Sequence, residues 1–124
     1  MEIKALVADS SKQTRKNITR SLKEIGVQNI VEANDTKQAI ELAKKGGFDV
    51  IFAEFNTTAG AGEEMLRTFR KMDAKVPIIV TAPQTQNMAE LKKTCPTAST
   101  YLTTPFTTEQ LRKMVSQYVP SIAG

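Results

Sequence analysis

The chain is expected to fold as α/β, a single doubly wound (βα)5 domain with a parallel five-stranded sheet of order 2-1-3-4-5. Three observations predict this. Short apolar runs alternate with amphipathic stretches along the whole chain, as in successive βα units. The run Val50-Ile51-Phe52-Ala53 is unbroken between Asp49 and Glu54, which suits a central strand buried on both faces. Capping signatures stand at the inferred helix starts: Ser10-x-x-Gln13, Asp35-x-x-Gln38, Asn87-x-x-Glu90 and Thr107-x-x-Gln110.

The first strand is predicted over 3–8 and the first helix over 11–25, with Ile18, Leu22 and Ile25 at helical spacing and Gly26 as terminator. A strand over 29–32 leads to a helix over 36–45, with Ala39, Ile40, Leu42 and Ala43 inward and Gly46-Gly47 ending it. The central run is the third strand, and the small polar stretch 56–62 after it reads as a loop. The third helix, over 62–72, carries Met65, Leu66 and Phe69. The fourth strand is placed over 76–81, with Pro77 near its start because proline has no donor. A short helix over 87–94 carries Met88 and Leu91 and is limited by Pro96. A fifth strand over 100–103 and a fifth helix over 108–118 close the pattern, with Leu111, Met114, Val115 and Tyr118 on one helix face.

A length of 124 residues suits one ordinary domain. The domain is placed over 1–120 and a short tail over 121–124. No apolar run approaches the roughly 18 residues of a membrane span. Met1-Glu2-Ile3-Lys4 lacks the pattern of a signal peptide. A cytoplasmic location without membrane association is therefore expected. One cysteine, Cys95, and no histidine exclude an internal disulfide, the usual zinc clusters and Ser-His-Asp triads. No catalytic residue is assigned, and the chain is read as a non-enzyme. The net charge of +4 is dispersed. Its densest part, Lys12, Arg15, Lys16, Arg20 and Lys23, is read as a solvated helix face, with contact to nucleic acid or an acidic partner as the alternative.

In a 2-1-3-4-5 sheet, strands one and three adjoin at the topological switch point, outside whose carboxyl ends ligands bind. Asp9 and Glu54 would face each other there, and the ends of strands four and five would add Thr81 and Thr104. Each has a plainer reading: a helix cap for Asp9, a solvated strand-end acid for Glu54, a strand-end hydroxyl for Thr81. For Tyr101 it is a half-buried aromatic.

On these residues the chain resembles the receiver domains of two-component response regulators, of the flavodoxin-like, chemotaxis-regulator type. Leu6-Val7-Ala8-Asp9-Ser10-Ser11 is similar to the first-strand motif that runs into two acids. The stretch from Val50 through Glu54 to Gly62 is similar to the phosphoacceptor strand and its loop. Ile78-Ile79-Val80-Thr81-Ala82 resembles the strand ending in a switch hydroxyl, and Tyr101-Leu102-Thr103-Thr104-Pro105-Phe106 stands where the family has an aromatic, two apolar residues and Lys-Pro-Phe. The resemblance spans about 3–118.

It implies a chemistry. An aspartate takes a phosphoryl group from a donor, flanking acids hold magnesium, and a hydroxyl and an ammonium bind the product. The strand-five aromatic then turns inward and remodels the surface of helix four, strand five and helix five for a protein partner. This sequence departs from the pattern. Glu54 stands at the phosphoacceptor, Ser10 at the second acid and Thr104 at the lysine; Thr58 and Ala61 replace a loop proline and an acid.

The resemblance therefore implies a degenerate phosphorylation site of Asp9, Ser10, Glu54, Thr81 and Thr104, in a pseudo-receiver that works through protein contacts. Thr81 and Tyr101 would be the switch pair, and Thr104-Pro105 a cis bond. Asp9, Glu54 and Asn56 would hold magnesium weakly or not at all, with no other cofactor. The partner surface would include Leu91, Lys92, Lys93, Tyr101, Lys113 and Tyr118. Glu54 has two readings, a permanent stand-in for phosphoryl charge or a relic. Two further readings stay open. One is a magnesium-dependent phosphoacceptor. The other is a flavodoxin-like cofactor protein using the turn Ser10-Ser11-Lys12-Gln13-Thr14, which lacks the glycines for close phosphate approach.

Overall fold

Strand and helix alternate from end to end. The computed structural model describes residues 3–54, 61–73, 75–84, 87–94 and 97–119. Its elements are β1 (Lys4–Ala8), α1 (Lys12–Glu24), β2 (Asn29–Ala33), α2 (Thr36–Lys44), β3 (Val50–Glu54), α3 (Ala61–Met72), β4 (Ile78–Pro83), α4 (Met88–Thr94), β5 (Thr100–Thr104) and α5 (Thr108–Tyr118). The strands pair in parallel in the order β2-β1-β3-β4-β5, as the sequence predicts. A helix lies in every connection, so each strand returns in the same direction. Asn56, Thr58, Cys95 and the 121–124 tail lie outside the described residues.

The alternation of side chains along the strands divides the core into two layers. Leu6, Ala8, Ile51, Ala53, Ile78 and Val80 face one way, against Ala39 of α2, Leu66 and Phe69 of α3 and Leu91 of α4. Ala5, Val7, Val50, Phe52, Ile79 and Leu102 face the other way, against Ile18 and Leu22 of α1 and Leu111 and Val115 of α5. β1, β3 and β4 are buried on both faces, which is why their sequences read as continuous apolar runs.

The helix starts match their signatures unequally. Thr107 forms a full capping box with Gln110. Asp35 accepts from the Gln38 N–H, but the Gln38 side chain reaches the Asn34 N–H. Asn87 accepts from the Glu90 N–H at 3.2 Å. The expected box at Ser10 does not form. Ser11 is the N-cap, accepting from the Thr14 N–H, and the Gln13 side chain donates to Asn17 instead. α2 ends as its sequence predicts, with Gly46 and Gly47 at φ of 72° and 82°, a region that favours glycine.

β4 is displaced from its predicted 76–81. It starts at Ile78, because Pro77 has no N–H and the Val76 carbonyl is taken by the Arg70 guanidinium at 2.7 Å. It runs on to Pro83, which pairs with Thr104 of β5. Ser99 ties the strand starts to the last helix. Its Oγ accepts from the Ile78 N–H, its N–H donates to the Ile78 carbonyl, and its carbonyl accepts from the Tyr118 hydroxyl at 3.0 Å.

Candidate functional site

The site forms at the carboxyl ends of β1, β3 and β4. β1 and β3 adjoin through Ala8 opposite Ala53, and Glu54 lies opposite Thr81 on β4. The topology thus brings Asp9, Ser10, Glu54 and Thr81 to one end of the sheet. Asp9 and Thr81 are buried, Glu54 is half-buried and Ser10 is exposed.

Asp9 is held from both sides. Its N–H donates to the Ala33 carbonyl at 3.0 Å, extending the β1–β2 ladder by one residue. Its Oδ1 accepts from the Ser11 N–H at 2.8 Å. Its carbonyl accepts from the Arg15 guanidinium at 2.6 Å, and the same guanidinium pairs with Glu32 at 3.2 Å. Burial pushes the Asp9 carboxyl up to about 7, against the Ser11 N–H that favours the ion; the Glu54 charge raises it further and Arg15 lowers it. Near neutral pH, Asp9 therefore takes up a proton that an ordinary aspartate has already lost.

Glu54 is spoken for. One of its oxygens, Oε1, accepts from both the N–H and the hydroxyl of Ser10, at 3.0 and 2.8 Å. The extra methylene of glutamate carries the carboxylate across from β3 to the turn after β1. The depression between Asp9, Ser10, Asp35 and Glu54 is small, about 30 Å³.

The Thr104 hydroxyl points to the Ala82 carbonyl, at 3.5 Å, and the Thr104-Pro105 bond is cis. No ammonium therefore stands at that position. Among the described residues, no group of three or more Cys, Asp or Glu is placed to hold a metal ion. Asn56, read from the sequence as a metal donor with Asp9 and Glu54, lies outside the described residues.

On the α4-β5-α5 side, Lys92, Lys93 and Lys113 are exposed. Tyr101 and Tyr118 are half-buried, and Tyr101 packs against the layer that contains Leu91. Leu91 does not belong to a surface. It is 1% exposed, because α4 needs an apolar anchor on the sheet and Leu91 is its buried one. Sequence alone does not single out Arg15: it belongs to the basic run of α1, yet it folds over the β1–β2 end onto Asp9 and Glu32. Its spacing of i+6 from Asp9 carries no local signal for this.

Comparison with known proteins agrees with the architecture. The family model described as the response regulator receiver domain matches residues 5–116. The chemotaxis protein CheY of Pseudomonas aeruginosa is 22% identical over 124 residues, covering 98% of this chain and 100% of its own. Among solved structures, the chemotaxis response regulator CheY4 of Vibrio cholerae superposes with a TM-score of 0.82 at 26% identity, covering 95% of this chain and 99% of its own. The receiver domain of a sensor histidine kinase from Pseudomonas aeruginosa, solved with magnesium in its active-site cleft, gives 0.83 at 18% identity, over 97% and 99% of the two chains. By its fold and by the family model that spans it, this chain belongs to the response regulator receiver domains of two-component signalling.

Proposed function

We propose that this receiver domain is a pseudo-receiver: it is not phosphorylated in the usual way and signals through protein contacts. The observation that carries this is the bond pair from Ser10 to Glu54 Oε1. A carboxylate that attacks phosphorus must hold its oxygen in line, and a misplacement of about 1 Å can cost roughly a hundredfold. Glu54 presents a longer side chain, turned toward Ser10. Thr104 offers a hydroxyl where an ammonium would neutralise the product.

The donor set also suits magnesium poorly. Magnesium demands near-octahedral oxygen ligands, and a metal must displace any proton on them. Asp9 holds a proton up to about pH 7, and Ser10 brings a hydroxyl in place of a second acid. We therefore assign weak magnesium binding at most, and no other cofactor.

Glu54 acts in this reading as a fixed charge beside Thr81. The partner surface is α4-β5-α5, through Lys92, Lys93, Tyr101, Lys113 and the exposed part of Tyr118, with a protein as the partner. Among the described residues no helix is long and apolar enough to cross a membrane, in keeping with a cytoplasmic place of action. Incubation with acetyl phosphate and magnesium, followed by intact mass measurement, tests the proposal. No phosphoryl mass gain is expected; a stable gain lost in Glu54→Ala would overturn it.

A second reading rests on α1. Lys12, Lys16, Arg20 and Lys23 are all exposed and follow one helix stripe. Binding of an acidic partner or nucleic acid there would fall steeply with salt. Absence of binding to a duplex at low salt removes the nucleic-acid form of that reading.

A further inference from the structure

A cavity of about 350 Å³ lies at the amino end of β3, between the C-terminal ends of α2 and α3. It is at the opposite end of the sheet from Asp9 and Glu54 and does not depend on how they are read. Phe48, Ile51, Phe69, Met72 and Val76 supply its apolar lining, beside polar groups at the rim. Gly46 and Gly47 form part of its edge, and a Cβ added to either meets nothing within 4 Å. That side of the mouth is therefore open.

The size suits a ligand. Apolar cavities of about 150 Å³ take up benzene, and pockets for small molecules begin at about 300 Å³. Met72, at the mouth, is 38% exposed, which is high for a large apolar side chain. Methionine is the side chain that adapts best to variable apolar ligands.

The rim holds one cation and one anion, Lys44 and Asp73. The Asp73 Oδ1 already accepts from the Lys75 and Val76 N–H groups, at 2.9 and 3.1 Å. Lys44 is exposed and makes no ion pair among the described residues. Lys44 is therefore the rim group open to an anionic head, while the Asp73 carboxylate keeps its charge and is turned to the N–H groups of its own loop.

We infer that this cavity binds a small amphipathic carboxylate, its apolar body between Phe48 and Phe69 and its anionic head at Lys44. Octanoate is a suitable probe, with octan-1-ol as its uncharged counterpart. Titration is followed in the amide 15N–1H spectrum. Saturable shifts are expected at Gly46, Gly47 and Met72, with a dissociation constant on the order of 1 mM for a ligand of this size.

Met72→Glu, at an exposed position, should weaken octanoate roughly tenfold by removing apolar contact and adding repulsion. Lys44→Gln should weaken octanoate about threefold and leave octan-1-ol unchanged. Scattered or non-saturating shifts, or an affinity indifferent to Met72→Glu, would overturn the site. Equal loss of acid and alcohol in Lys44→Gln would overturn the carboxylate. Shifts of the same amides with protein concentration alone would make the occupant a second copy of the chain and likewise reject the small ligand.

Discussion

The Glu54 carboxylate takes two hydrogen bonds from Ser10 through a single oxygen, one from its N–H and one from its hydroxyl. The two residues lie 44 positions apart. Between them they close the switch-point crevice with a charge-assisted contact. The contact joins the turn after β1 to the end of β3.

The pair should be measurable as a coupling. Ser10→Ala and Glu54→Ala are each expected to lower unfolding free energy by about 1 kcal/mol, and the double mutant by less than their sum. Urea unfolding of the four proteins gives the coupling, expected at roughly 0.5 kcal/mol or more. The cycle reads the hydroxyl bond, since the N–H bond survives in Ser10→Ala; strict additivity would mean that the hydroxyl bond contributes nothing.

Asp9 should make stability fall with rising pH. Its folded pKa, about 7, lies above the ordinary 3.8. Between those values the folded chain binds more protons than the unfolded chain, so raising pH favours unfolding. The fall begins near pH 4 and levels off above pH 7. In Asp9→Asn the slope in this window should largely vanish, leaving the variant more stable relative to wild type at pH 8 than at pH 5. Urea midpoints at several pH values check this; an unchanged slope would remove Asp9 as its source.

Leu91 and its neighbours should separate stability from binding. Leu91→Ala empties a buried position and is expected to cost about 2–5 kcal/mol. Lys92→Ala, Lys93→Ala and Lys113→Ala change exposed side chains, with stability expected to stay within about 0.5 kcal/mol. Only the lysine variants are therefore informative about a partner. Thermal unfolding of each, alongside pull-down with the same bait, distinguishes the two classes.

On the pseudo-receiver reading, supplying the family's acidic and ammonium groups should raise reactivity. Glu54→Asp alone shortens the side chain but leaves the hydroxyls of Ser10 and Thr104 in place. The triple variant Ser10→Asp, Glu54→Asp, Thr104→Lys supplies two acids for magnesium and an ammonium for the product. With acetyl phosphate and magnesium, the triple variant is expected to gain a phosphoryl group at least roughly tenfold faster than Glu54→Asp. Intact mass against time gives both rates.

The sequence told more about the sheet than about the site, for physical reasons. Strands buried on both faces must be apolar throughout, so β1, β3 and β4 could be read directly. The address of Asp9, Glu54 and Thr81 followed from strand order and the family resemblance. What could not be read depended on long-range contacts. Ser10 and Ser11 are chemically equal as caps, and the choice falls to Ser11 because the Ser10 hydroxyl is drawn to Glu54. Arg15 looked like any other cation of α1 until the end of β2 supplied Glu32. Leu91 sits on a helix too short for its periodicity to show which face is buried. The start of β4 was decided by Arg70, which takes the Val76 carbonyl from another element.

The sheet that separates the two core layers also insulates them. Leu91 and Tyr101 belong to one layer; Ile18, Leu22 and Leu111 belong to the other. Among the described residues, the buried side chains form two separate clusters, one on each face of the sheet. Substitutions beneath α4 and beneath α1 should therefore add as independent quantities. The side of the sheet under α4 can therefore be rewritten in sequence while the layer under α1 and α5 keeps its shape.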